Sequence, residues 1–208
     1  MIFKLIILGI FFLWGKRIWK KKAELTRFNL VLNVTLFSFI FIYLTYQTRM
    51  LPGSEAISNR LYAQELTGNQ FWVTESFKNI SERAFNGDGY SIYIYDISED
   101  VANSFLTPSP DFFTKFPKSD RDEWTKVKWR KSPIKESENK IVDFAIWSRS
   151  TLAESNMLEE NKLIRKILAE KGNYYAYAVN IESRGVFNVD FYILSPKEKK
   201  LICINHNT

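Results

Sequence analysis

YYAYAVNIESRGVFNVDFYILSPKEKKLICIN, residues 174–205, alternates side chains with a period of two in three successive runs. Tyr175, Tyr177, Val179 and Ile181 share one face of the first run, and Phe187, Val189, Phe191 and Ile193 share one face of the second. Glu182-Ser183-Arg184-Gly185 and Ser195-Pro196-Lys197-Glu198 supply the turn residues between them, and the third run extends from Lys200 to Asn205. The expectation is a three-stranded antiparallel meander.

Further elements are placed by working back along the chain. YSIYIYDI, residues 90–97, follows Asp88-Gly89 and is rich in β-branched and aromatic residues, which predicts a strand. WTKVKWRK (124–131) predicts another, and KIVDFAIW (140–147) a third, central one, because its apolar residues fall on both faces. Helices are expected from Ser54 to Leu66, stopped at Gly68, and from Thr74 to Asn86-Gly87, with Phe77, Ile80 and Ala84 on one side. The strongest helix signal is Thr151-Leu152-Ala153-Glu154, a capping box opening a helix to Lys171 with Met157, Ile164 and Leu168 along one face and Gly172 as the stop. Three prolines punctuate TPSPDFFTKFPKSD (107–120), which is expected to be irregular. The fold class is α+β, a mainly antiparallel sheet with helices packed on one face.

The N-terminal region has a different character. FNLVLNVTLFSFIFIYLTYQT, residues 28–48, carries no charge over 21 residues. As a helix it is about 31 Å long, the thickness of a bilayer's hydrocarbon core. Twelve of its residues are Leu, Ile, Val or Phe, enough to outweigh the insertion cost of Asn29, Asn33 and three threonines. A shorter run, MIFKLIILGIFFLWG, precedes it. Either that run also spans and the two form a helical hairpin, or the later run is a lone signal-anchor. Lys16, Arg17, Lys20, Lys21, Lys22 and Arg27 sit directly before the long run and hold the 16–27 loop in the cytoplasm under the positive-inside rule. Both topologies therefore send the chain after Tyr46 outward. Residues 1–48 form the anchor, with the lipid bilayer as a partner, and residues 49–208 an extracytoplasmic domain. Small size, a short anchor and abundant Lys, Ile, Phe and Asn suggest a bacterial inner membrane.

The formal charge of +6 at first invites a nucleic-acid reading. Yet seven of the 29 basic residues and one of the 23 acidic ones precede Tyr46, which leaves 22 of each sign beyond it. A domain without excess positive charge is not built to track phosphate, so no nucleic-acid partner is expected. Cys203 is the single cysteine, which rules out an intrachain disulfide framework.

Signals for chemistry are sparse. His206 and Cys203 are the residues best suited to metal or nucleophile chemistry, and on a strand they point to opposite faces. Asn86-Gly87-Asp88-Gly89-Tyr90 begins like a calcium loop but lacks the later ligands, so a tight turn explains it better. No cofactor is expected, since the chain contains neither a Walker loop nor a GxGxxG cradle, and no GxSxG elbow. Carboxylate pairs such as Asp96 with Asp143 are the raw material for a cell-envelope hydrolase. Lys126, Lys128, Arg130 and Lys131 form a basic strand face with Trp124 and Trp129. Aromatics concentrate at Phe112, Phe113 and Phe116 in the proline-punctuated stretch and at Trp124 and Trp129 beyond it, and aromatic anchors are enriched at interfaces. The leading expectation is a non-enzymatic envelope binding protein, an immunity-like inhibitor or a subunit of an envelope machine, docking another envelope protein through these five rings. The alternative is the carboxylate hydrolase.

Overall fold

The structure, a computed structural model, describes residues 14–17, 19–20, 27–47, 53–80, 89–146, 157–183 and 185–207. The chain divides into two compact units, Met1–Ile57 and Ser58–Thr208.

In the first unit, Arg27–Gln47 forms one unbroken helix, α1. Val31, Leu32, Leu36, Phe39 and Ile42 are exposed on it, Phe39 to 69 %. Asn33 Nδ2 and Ser38 Oγ donate to the carbonyls of Asn29 (2.7 Å) and Val34 (2.9 Å), so these polar side chains are satisfied by the helix itself. Trp14 packs edge-on against Phe37 with ring centroids 5.3 Å apart. Among the described residues no helix is long and apolar enough to cross a membrane. Most of the short run 2–15, together with Lys21 and Lys22, lies outside the described residues.

The second unit is α+β. After α2 (Ser54–Thr67) come β1 (Val73–Ile80), β2 (Gly89–Ile97), α3 (Glu99–Ser104), α4 (Pro110–Lys115) and β3 (Thr125–Lys131). A 3-10 turn at Glu136–Glu138 leads to α5 (Asn139–Ile146), α6 (Leu158–Ala169), β4 (Tyr174–Glu182), β5 (Gly185–Ser195) and β6 (Lys200–Asn207). The six strands form one sheet in the order β1-β2-β6-β5-β4-β3, antiparallel throughout. The expected meander is there as β4, β5 and β6, and β6 then pairs with β2 at the centre of the sheet.

Helices cover both faces of this sheet, not one. Tyr175, Tyr177, Val189, Phe191, Ile202 and Ile204 pack under α5 and α6. The alternate residues, Tyr174, Ala176, Tyr192, Leu194, Leu201 and Cys203, pack under α2, α3 and α4. A strand covered on both faces contributes all its side chains to the interior, which is why so few polar positions in β4–β6 reach water.

Three local expectations are corrected. Residues 74–80 form strand β1 instead of a helix, and 81–88, including the calcium-like turn, lie outside the described residues. A bulge between Glu75 and Phe77 slips the register by one, so Val73 packs on one face and Phe77 on the other. The resulting apolar spacing imitates a helical period. Residues 140–146 are helical instead of a central strand: Ile141, Val142, Ala145 and Ile146 make one buried stripe on α5. The supposedly irregular 107–120 stretch contains α4, which begins at Pro110 because a proline at the first helical position costs no hydrogen bond. Helix α6 starts at Leu158, and the capping-box residues 151–154 lie outside the described residues.

Candidate binding site

The five aromatic rings expected at a docking surface divide by depth. Phe112 and Trp129 are core, each 2 % exposed, and stack at 5.1 Å and 12°. Trp129 owes its inward position to a bulge in β3 between Val127 and Arg130, which turns it to the α2–α4 face, where its Nε1 donates to Leu66 O at 2.7 Å. Neither ring is available to a partner, which corrects that part of the expectation. Phe113 is half-buried against Phe112 and Tyr174. Phe116 is half-buried too; its ring fills the space a side chain would need at Gly68, whose φ of +82° suits glycine. Trp124 is half-buried under the Arg121 guanidinium, 4.7 Å from the ring centroid.

The basic strand face is consumed internally. Lys126 reaches Asp122 at 3.3 Å, and Lys128 Nζ donates to the carbonyls of Lys115 and Pro117 at 3.2 and 2.7 Å. Desolvation, helped by Lys126, lowers the Lys128 pKa. Arg130 pairs at 2.8 Å with Glu138, which is buried and also accepts from Tyr175 and Tyr177 at 2.7 Å each. Burial first, then the bond to Glu138, pushes Tyr175 up to about 12 and raises Tyr177 further. Of the topology residues, Lys16, Arg17 and Lys20 are described as exposed helical positions, and Arg27 begins α1.

His206 is buried near the end of β6, Nδ1 at 2.7 Å from Phe144 O, with the rings stacked at 4.4 Å. Cys203 faces the opposite side, and burial pushes its thiol well up. Asp96 and Asp143 are tied separately to Lys200 and to Arg165. Among the described residues no group of three or more His, Cys, Asp or Glu side chains is arranged to hold a metal ion.

One polar feature remains, on the α2–α4 face of the sheet. Moving along β2, β6, β5, β4 and β3, the side chains of this face change from Tyr93, Cys203, Tyr192, Ala176 and Trp129 to Ser91, Asn205, Asp190, Ala178 and Lys126. The next row carries Asn207, Asn188 and Asn180. Asp190, Tyr192 and Asn205 form the floor of a cleft of about 680 Å³. Tyr62 and Glu65 of α2 form one wall, and the 118–121 loop forms the other. Asp190 is buried; it accepts from Asn205 Nδ2 through Oδ1 and from Arg121 Nε through Oδ2 at 3.3 Å. Asn207 Nδ2 donates in turn to Asn205 Oδ1 at 3.3 Å.

The rings of Tyr62 and Tyr192 meet edge to face with centroids 6.5 Å apart. Tyr62 keeps 37 % of its surface exposed, and desolvation within the cleft raises its pKa. Tyr192 is raised by burial first and then by the Asp190 charge.

No protein-family model, curated protein or solved structure matches the chain. The functional reading therefore stands on the chemistry of these residues. Asp190, Asn205, Tyr192, Tyr62 and Arg121 were not among the expected site residues. Their signal was present in the polar members of the alternating strands, Asn180, Asn188, Asp190, Asn205 and Asn207, which share one end of one face.

Proposed function

We propose that the chain is a membrane-anchored binding protein whose α+β unit lies outside the cytoplasm and holds a polar ligand in the cleft floored by Asp190. The observation that carries the binding reading is the way Asp190 is held. Both of its oxygens already accept hydrogen bonds, from Arg121 and Asn205, in a ligand-sized cleft lined by Tyr62 and the buried Tyr192. A carboxylate held from both sides is a fixed recognition element. The hydrolase alternative asks for two acids directed at one bond. Here Glu65 and Asp120 line the same cleft but are exposed at its walls, so the geometry favours binding.

Support for the anchor comes from the sequence around α1 and from the helix itself. Residues 28–48 are uncharged and follow six basic residues in the 16–27 loop. Val31, Leu32, Val34, Leu36, Phe39 and Ile42 are exposed on α1, and Asn33 and Ser38 hydrogen-bond to the helix's own carbonyls, which suits a medium without water. The contact of Trp14 with Phe37 favours the hairpin form of the anchor, because it brings the chain before the basic loop back alongside α1. The placement is tested by fusing alkaline phosphatase and, separately, a fluorescent protein after Thr208. Phosphatase activity without fluorescence is expected. A fluorescent, phosphatase-negative pair would place the domain in the cytoplasm and overturn the reading.

A further inference from the structure

We infer that the ligand of the Asp190 cleft is an uncharged polyhydroxylated molecule, one or two sugar units of a glycan. The inference rests on the binding reading above and adds the chemical class. Charge is the first argument. The buried carboxylate, Asp190, is answered within the site by the Arg121 guanidinium, so the floor offers no unmatched charge of either sign. An anionic ligand would have to share Arg121 with Asp190, and a cationic one would have to displace Arg121 from it. The remaining charged walls, Glu65, Asp120 and Lys118, are exposed and of mixed sign.

Hydrogen-bond donors also lie beside acceptors on the cleft floor. An ionised carboxylate has about four lone-pair sites and a guanidinium five N–H donors in a planar fork. Among the described residues Asp190 accepts two hydrogen bonds, and Arg121 reaches it through Nε and not through the Nη groups of the fork. A hydroxyl both donates and accepts, and neighbouring hydroxyls on a sugar ring meet adjacent donors and acceptors together. A planar carboxylate next to a planar guanidinium offers that pairing. A point cation or a lone phosphate has no use for both kinds of group.

Shape supplies the third. Tyr62 and Tyr192 meet edge to face, so the partly exposed Tyr62 ring offers a flat apolar wall next to a polar floor. The C–H face of a sugar ring packs on such a wall while its hydroxyls reach the floor. Arg121 is braced by Trp124, which holds the guanidinium in place before a ligand arrives. The cleft volume of about 680 Å³ lies within the roughly 300–1,000 Å³ of small-molecule sites.

The test uses the full chain in phosphatidylcholine nanodiscs, which avoids sugar-headed detergents. Saturation-transfer NMR is run with chitobiose, cellobiose and maltose, and with inorganic phosphate and N-acetyl-lysine amide in competition. At least one disaccharide is expected to receive saturation on its ring protons, with a Kd on the order of 1 mM or tighter. Arg121→Ala and Asp190→Asn should each weaken it at least tenfold in protein that still shows a cooperative melt, with Arg121→Ala melting below wild type because the buried Asp190 carboxylate loses its partner. Phosphate or the lysine amide displacing the disaccharide from the wild type would assign a charged ligand and overturn the inference. Absence of transfer to all three disaccharides from folded protein would also overturn it. Failure here with phosphatase-positive fusions would leave the binding reading standing and discard the ligand class. Cytoplasmic fusions would discard the placement whatever the sugars do.

Discussion

Replacing Phe112 with alanine separates a core ring from an interface ring, and the structure specifies the size of the effect. Phe112 stacks on Trp129 and meets Tyr174, Phe105 and Phe113 with ring centroids between 5.1 and 5.4 Å. Burial at 2 % means the whole ring is lost to a cavity, at a cost of about 3–5 kcal/mol. Loss of the aromatic geometry favours the upper half of that range. In a unit of this size each kcal/mol lowers the melting temperature by roughly 2–4 °C, so Phe112→Ala should melt about 8–20 °C below wild type. Phe113→Ala, half-buried, should lose less than half as much. Urea denaturation followed by tryptophan fluorescence reads the same difference. A Phe112→Ala protein that melts within about 2 °C of wild type while losing a partner would refute the core assignment and restore the docking role.

Two further outcomes are expected. Glu138→Ala should destabilise by about 3 kcal/mol, chiefly because the buried hydroxyls of Tyr175 and Tyr177 lose their acceptor, whereas Tyr175→Phe alone should cost about 1 kcal/mol; equal losses in urea titrations would contradict this arrangement. Stability should also fall at alkaline pH. Burial raises Tyr62, Tyr90, Tyr174, Tyr175, Tyr177 and Tyr192 above the ordinary phenol value near 10, so the folded chain retains protons that the unfolded chain releases. Their contribution is complete below pH about 10 and is lost as pH rises through the folded values, about 12 for Tyr175. Phenolate absorbance should therefore appear together with unfolding; six phenolates forming near pH 10 in an intact fold would contradict the burial.

The meander was legible because alternation runs through β4, β5 and β6 with only one slip, at Asn180 and Ile181 near the hairpin tip. Strand β1 was not, since its bulge at Ser76 replaces period two with a spacing that mimics a helix. Helix α5 was misread for the converse reason: Ile141, Val142 and Ile146 have β-branched side chains whose strand preference is overridden by packing on one helical stripe. The candidate site was missed through one physical assumption, that the sheet has a single covered face. Under it, Asn188, Asp190 and Tyr192 belong to the solvent side. With α2, α3 and α4 covering that side, the same alternation buries Tyr192 and Asp190 and makes them a cleft floor.

The rate at which a membrane-impermeant maleimide labels a Lys118→Cys variant reports both on which side of the membrane the domain lies and on whether the cleft is occupied. Lys118 is exposed and lines the cleft, and Cys203 is buried with its thiol pKa raised, so the label reads position 118. Spheroplasts should label without lysis, and more slowly in the native envelope than in the purified protein because a ligand occupies the cleft. Labelling that requires lysis, and then proceeds at the purified-protein rate, would contradict both the placement and the binding site.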